Sequence, residues 1–273
     1  MNQAPASTWV LLRGLTREAA HWGEGPNALP DLLRQALPGA AIHRPDLPGN
    51  GRLHGLRSPA TVQGMVAACR AEMARQGIRP PFHLLAMSLG AMVAAEWAHQ
   101  APHEVAGCVL INTSVRPFSP VHHRLRPRNW PTLLRHGLWP ATPREREATV
   151  LHLTSNLAQQ RSEVLDRWVA VRREHPVRSV NALRQLLAAA RYRAPRLAPP
   201  VALLLLASTH DRLVDSRCSL AMAQAWHCPL QWHPTAGHDL PLDDPAWVVR
   251  QVQEWLGSHP RTVGKPETQV SNF

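Results

Sequence analysis

A chain of 273 residues, 44% hydrophobic and 18% charged, is long enough for one large core, or for a core carrying an inserted lid, and its ordinary composition excludes wholesale disorder. The longest apolar run, residues 201–207, falls far short of the roughly 20 residues of a membrane-spanning helix, and residues 1–8 have neither the basic region nor the apolar stretch of a signal peptide. A cytoplasmic protein without a membrane span is expected, and its formal net charge of +11 points to acidic partners.

Short runs rich in Val, Ile and Leu occur at residues 9–13, 40–44, 82–87, 105–112, 201–208 and 230–234 and read as buried strands. Helical patterns occupy 27–36, 61–76 and 89–100, and a last one at 245–256 should pack back onto the sheet. Strands alternating with helices predict an α/β fold with a mostly parallel sheet covered on both faces. Residues 115–200 break the alternation. They show no strand run, only Pro-punctuated helical segments at 131–137, 143–154, 163–174 and 177–192. Because the strand pattern resumes at 201, the predicted organisation is a core of residues 1–114 and 201–258. A helical cap is inserted at 115–200, and a mobile polar tail follows at 259–273.

The charge is placed unevenly. Residues 115–200 hold 16 arginines against 5 acidic residues, so this stretch carries the whole net excess. A solvated helical face is the plain explanation; docking of an acidic protein or an anionic substrate is the other. No nucleic-acid recognition motif is present, and nucleic-acid binding is not expected. Trp130, Trp139 and Trp168 in this stretch could line an acyl pocket, but are better read as glue between lid and base. The four cysteines, at 69, 108, 218 and 228, lack C-x-x-C spacing and read as buried reduced thiols.

The chemistry centres on Ala86-Met-Ser88-Leu-Gly90, after a strand run and before a helical one. A serine at such a turn is forced into a tight conformation with its oxygen clear of the backbone, at a helix N-terminus that favours developing negative charge. Its plain alternative is a serine that caps the helix. A serine hydroxyl needs a general base. His238, in Ala236-Gly-His-Asp239, lies beyond the last strand run, where the sites of α/β sheets gather. Asp211, directly after the preceding strand run, is placed to fix the imidazole tautomer. Asp215 and Asp239 are rival acids, read here as surface loop carboxylates. The oxyanion would be held by the amide of Leu89 and by that of Leu15, beside Gly14 in the loop after the first strand run. His103-Glu104 lacks a second histidine, and Gly49-Asn-Gly51 does not open a helix, so no metal and no cofactor are expected.

Five segments together resemble the α/β-hydrolase superfamily: VLLRGLTREAAHWG at the first oxyanion position, DLPGNG at 46–51, AMSLG at the nucleophile, ASTHDRLV at the acid and AGH at the histidine. Arg13 stands where the family commonly has His, and Ala86 where it has Gly. The resemblance implies an α/β-hydrolase fold with an α-helical cap and catalysis by Ser88, Asp211 and His238. Among members, the chain is similar to small cofactor-free esterases of the pimeloyl-acyl-carrier-protein methyl ester type. That likeness implies a small acyl-ester substrate and an acidic carrier protein at the arginine-rich cap. Carbon–carbon hydrolysis, perhydrolysis or a lyase-type step on the same triad, or a non-catalytic binding protein on this scaffold, are the competing readings.

Overall fold

In the computed structural model the described residues are 7–132, 141–157 and 161–258. Six strands form one sheet: β1 (Thr8–Leu12), β2 (Ala41–His43), β3 (Phe82–Met87), β4 (Val105–Ile111), β5 (Ala202–Ser208) and β6 (Leu230–His233). Their spatial order is β2-β1-β3-β4-β5-β6 and every pairing is parallel. All six residues of β3 are buried, which is why this central strand, His83 excepted, is apolar throughout rather than alternating.

The strand period of two sorts side chains onto two cores. Val10, Leu12, Leu84, Ala86, Cys108, Leu110, Leu203 and Leu205 face one side. There they meet Met65 of α2 (Val62–Arg75), Trp97 of α3 (Leu89–Gln100) and, after β5, Met222 of a helix at Arg217–Trp226. Trp9, Leu11, Leu85, Met87, Val109, Ile111, Leu204 and Leu206 face the other side, against Leu29 and Leu33 of α1 (Leu29–Ala36) and Val248, Val252 and Trp255 of a final helix, Pro245–Ser258. Burial of apolar surface on both faces is the main force holding this sandwich. Thr61 caps α2 by accepting from the Gly64 amide at 3.2 Å. The four cysteines are free, and three of them are buried.

Between β4 and β5 the chain is helical: α4 (Val121–Arg124), α5 (Pro143–Thr154), α6 (Arg161–Glu174) and α7 (Ser179–Arg191). The remaining helices are then α8 (Arg217–Trp226), α9 (Leu240–Asp243) and α10 (Pro245–Ser258). Helix α5 opens on a capping box formed by Thr142 and Glu145, with Pro143 in its first turn. Leu151 of α5 packs with Val164 and Trp168 of α6 in a small cluster of its own. The helical segment expected at 131–137 lies largely outside the described residues, as do Trp139 and the tail at 259–273.

The inserted helices are fastened to several core loops, among them the loop after β1. Glu147 on α5, 1% exposed, accepts from Arg17 at 2.5 Å and also from Arg172 on α6. Arg17 in turn lies over the Trp168 ring, 4.5 Å from its centroid, so Trp168 serves as glue, as the sequence suggests. Trp130 is 42% exposed. Gln185 on α7 accepts from the Thr16 amide at 2.8 Å and donates to Asn50 and Ser58.

Candidate active site

The residues picked out from sequence lie beyond the carboxyl ends of the strands, Ser88 after β3, Asp211 after β5 and His238 after β6. Ser88 joins β3 to α3 at φ 53°, ψ −119°, a conformation that costs a non-glycine residue and is kept only where surroundings enforce it. The enforcement is visible. Its amide donates to Ile111 O at 2.9 Å, and its carbonyl accepts from Thr113 Oγ1 at 2.9 Å. A Cβ on Gly90 would sit 2.4 Å from Leu12 O and 2.5 Å from Arg13 O, so α3 can approach β1 only with glycine there. Ala86, the other flank, is fully buried yet finds room for its methyl group. Ser88 occupies the N-cap position, but its side chain makes no cap hydrogen bond, so the hydroxyl is not spent on capping.

His238 follows β6 and Asp211 follows β5; both are 3% exposed. His238 Nδ1 lies 2.7 Å from Asp211 Oδ2, while Asp211 Oδ1 accepts from the amides of Leu213 and Val214 at 2.7 and 2.9 Å. A carboxylate only accepts, so Nδ1 carries the proton and Nε2 is left as a free base. Burial pulls the His238 pKa down, but the Asp211 carboxylate and its hydrogen bond, with Asp239 behind them, outweigh it, and the net shift is upward; Arg13 opposes.

Asn112, at the end of β4, ties these parts together. Its Nδ2 donates to His238 O at 2.8 Å and its Oδ1 accepts from the Ser208 amide at 2.8 Å. The neighbouring Thr113 holds Ser88. One strand end therefore anchors both the nucleophile turn and the histidine loop. Among the described residues no hydrogen bond joins Ser88 Oγ to His238; such contacts often close only around substrate. The structure thus brings His238 and Asp211 into contact and sets Ser88 at the end of β3, with β4 between it and β5.

The proposed oxyanion donors are also placed. The Leu89 amide opens α3, where the first N–H groups have no partner within the helix. Leu15 follows Gly14, whose Cβ position lies only 3.3 Å from Ser88 Cβ, so this loop leans directly on the nucleophile. Among the described residues neither the Leu15 nor the Leu89 amide is engaged by another protein group.

Two expectations need correction. Asp239 and Asp215 are not surface loop carboxylates; they are 2% and 6% exposed. Asp239 receives both terminal nitrogens of Arg13, at 3.1 and 2.5 Å. Asp215 is held by Arg217 at 2.9 Å and Arg126 at 3.4 Å, which pull its pKa far down. The cationic partners supply the reason: charge that is paired can be buried. Asn112, Thr113 and the Arg13–Asp239 pair escaped the sequence reading, although a polar Asn-Thr-Ser ending an apolar strand run is a signal that could have found the first two. Among the described residues no cluster of three or more His, Cys, Asp or Glu is arranged to hold a metal ion, and no helix is long and apolar enough to cross a membrane.

The D-L-P-G-N-G loop is joined to the loop after β1. Asp46 accepts from the amides of Ala19 and Arg52 at 2.8 and 3.1 Å, tying the loop after β1 to the one after β2.

Comparison with known proteins places this geometry. The model of the Alpha/beta hydrolase family matches residues 9–251. Homoserine O-acetyltransferase of Citrifermentans bemidjiense is 41% identical over 71 residues, which are 26% of this chain and only 19% of that protein. Three solved structures share the fold. A candidate non-heme bromoperoxidase, BpoC, of Mycobacterium tuberculosis is 22% identical with TM-score 0.72, covering 94% of both chains. A thermophilic esterase of Thermogutta terrifontis is 22% identical with TM-score 0.70, covering 93% of this chain and 90% of the other. The 2-hydroxy-6-oxo-6-phenylhexa-2,4-dienoate hydrolase BphD of Rhodococcus sp. strain RHA1 is 18% identical with TM-score 0.71, covering 92% and 91%.

Proposed function

Because the chain belongs to the alpha/beta hydrolase family, we propose that it is a serine hydrolase that cleaves a carboxylic ester through an acyl-enzyme on Ser88. The observation that carries this reading is the buried His238–Asp211 contact of 2.7 Å beside a serine held at positive φ. His238 Nε2 takes the Ser88 proton as Oγ bonds to the ester carbonyl carbon. Charge then develops on the carbonyl oxygen, where the Leu15 and Leu89 amides receive it. The imidazolium, steadied by Asp211, returns its proton to the leaving alcohol as the C–O bond breaks. Water repeats the sequence on the acyl-enzyme and releases the acid, with Ser88 reprotonated.

In this reading residues 115–200 form a cap over the site, and their fastening to the loop after β1 links cap position to the oxyanion donors. Neighbours in the fold carry names of different chemistries, so the fold alone does not choose the reaction. The choice is tested with a panel of p-nitrophenyl esters of graded acyl length run beside Ser88→Ala. Ester turnover that falls at least about 10⁴-fold in the variant supports the proposal. Turnover that Ser88→Ala leaves intact removes it, and wild-type inertness toward every ester, with cleavage of a carbon–carbon substrate, reassigns the triad.

A further inference from the structure

Helix α7 is mounted inside out. Its buried side chains are Asn181, Gln185 and Ala188, at 2%, 0% and 2% exposure, Leu187 is half-buried, and three of its larger aliphatic side chains face away from the protein. Val180, Leu183 and Leu186 are 55%, 55% and 46% exposed, and their spacing of three places them along one side of the helix. The inversion has a cause. Asn181 bonds the Ser58 amide and Leu56 O at 3.0 and 2.8 Å, and Gln185 bonds Thr16, Asn50 and Ser58. Polar contacts hold the helix down, so its hydrophobic side is left to meet something else. Leu56, 53% exposed, adjoins the Asn181 contact, and Leu197 just beyond the helix is 82% exposed. A row of exposed aliphatic side chains along one side of a helix marks a contact site.

The surrounding charge identifies the occupant. Arg178 and Arg191 at the two ends of α7, Arg193 and Arg196 after it and Arg57 beside Leu56 are exposed, and residues 175–210 contain no Asp or Glu. A second copy would set arginine against arginine, which disfavours self-association. Protein hot spots are dominated by Trp, Tyr and Arg, with Leu and Val under-represented; this stripe is aliphatic and holds no aromatic side chain. Leucines flanked by arginines are the composition of helices that lie in a lipid headgroup region.

We propose that the outward side of α7 docks the protein on an anionic lipid surface, with Val180, Leu183 and Leu186 entering the boundary between headgroups and acyl chains and the arginines contacting the phosphates. The inference does not depend on the chemistry proposed for Ser88. Gln185, on the opposite side of the same helix, holds the loop that carries Leu15, so docking and catalysis would share one element.

The test is flotation of the full chain with unilamellar vesicles of phosphatidylcholine, alone or with about one third phosphatidylglycerol, at about 0.15 M salt. Three proteins are compared: wild type, Val180→Ser/Leu183→Ser/Leu186→Ser, and Arg178→Gln/Arg193→Gln/Arg196→Gln. Wild type is expected to float with the anionic vesicles. The serine variant, whose charge is unchanged, should lose at least about tenfold in partitioning. The arginine variant should lose the preference for phosphatidylglycerol. Melting temperature and turnover of a soluble ester check that the variants are folded; if the triple serine variant fails that check, Leu183→Ser and Leu186→Ser are measured singly. Serine variants that float like wild type would show that net charge alone attracts the protein, and the proposal falls. It also falls if wild type ignores anionic vesicles, or if it binds an acidic acyl carrier protein through these arginines while leaving vesicles unbound.

Discussion

Arg13 and Asp239 bracket the proposed base from two distant segments. Arg13 precedes Gly14 of the oxyanion loop; Asp239 follows His238. Their charges act on the imidazole in opposite senses, Asp239 raising its pKa and Arg13 lowering it. His238 must be neutral to accept a proton, so kcat/KM should fall as pH drops through its raised pKa. Arg13→Gln leaves the Asp239 charge unopposed, and the acid limb of the pH–rate profile should move to higher pH. Asp239→Asn leaves Arg13 unopposed, and the limb should move lower. Shifts in the same direction from both variants would contradict this arrangement. The folding contribution of His238 runs the other way: a raised folded pKa stabilises below the unfolded pKa, and that stability is lost as pH rises through the folded value. Sequence pointed to Ser88, Asp211 and His238 because each lies in the segment that leaves a strand run. It misjudged Asp239 because the partner that permits its burial lies 226 residues away and leaves no local mark.

Among elements, Glu147 forms one buried joint between the insertion and the core. Burial alone would raise its pKa, but Arg17 and then Arg172 overcome this and hold it below the ordinary carboxylate value. Its stabilising contribution is therefore present above the unfolded carboxylate pKa and lost as pH falls through the depressed one. Glu147→Ala strands two guanidinium groups in a buried site and should cost about 3–5 kcal/mol, read as a fall in denaturant midpoint. A loss below about 0.5 kcal/mol, the range of ordinary surface substitutions, would show that the joint is unimportant. At the nucleophile turn, Gly90→Val must push α3 off the backbone of β1, and the expected result is loss of soluble folded protein or of all ester turnover. The four inner strands were legible because buried strands read as apolar runs; β2 and β6, at the sheet edges and only partly buried, were legible from short stretches holding apolar residues between turn signals. Helix α8 was not. Ser216 makes no side-chain cap, and the helix ends on His227 at φ 49° where a glycine would have signalled the stop. Helix α7 was legible as a helix but not in its orientation, since the polar contacts that invert it come from residues 16, 50 and 58.

At the scale of the whole molecule, the net charge and the site belong to different parts of the chain. The segment from 115 to 200 carries the +11 excess, while the sheet that positions Ser88, Asp211 and His238 is built outside it. Lipid docking through this segment should therefore weaken steeply as salt is raised, with little change in turnover of a small neutral ester; parallel loss of both would contradict the separation. The central claim is that three separate strand ends form one reactive centre. It is tested most directly by reacting the folded protein with a fluorophosphonate and mapping the labelled peptide. The account predicts a single adduct on Ser88, absent in Ser88→Ala and strongly slowed in His238→Ala. A folded protein that takes no label, or takes it elsewhere, or is labelled at Ser88 just as fast without His238, would contradict it.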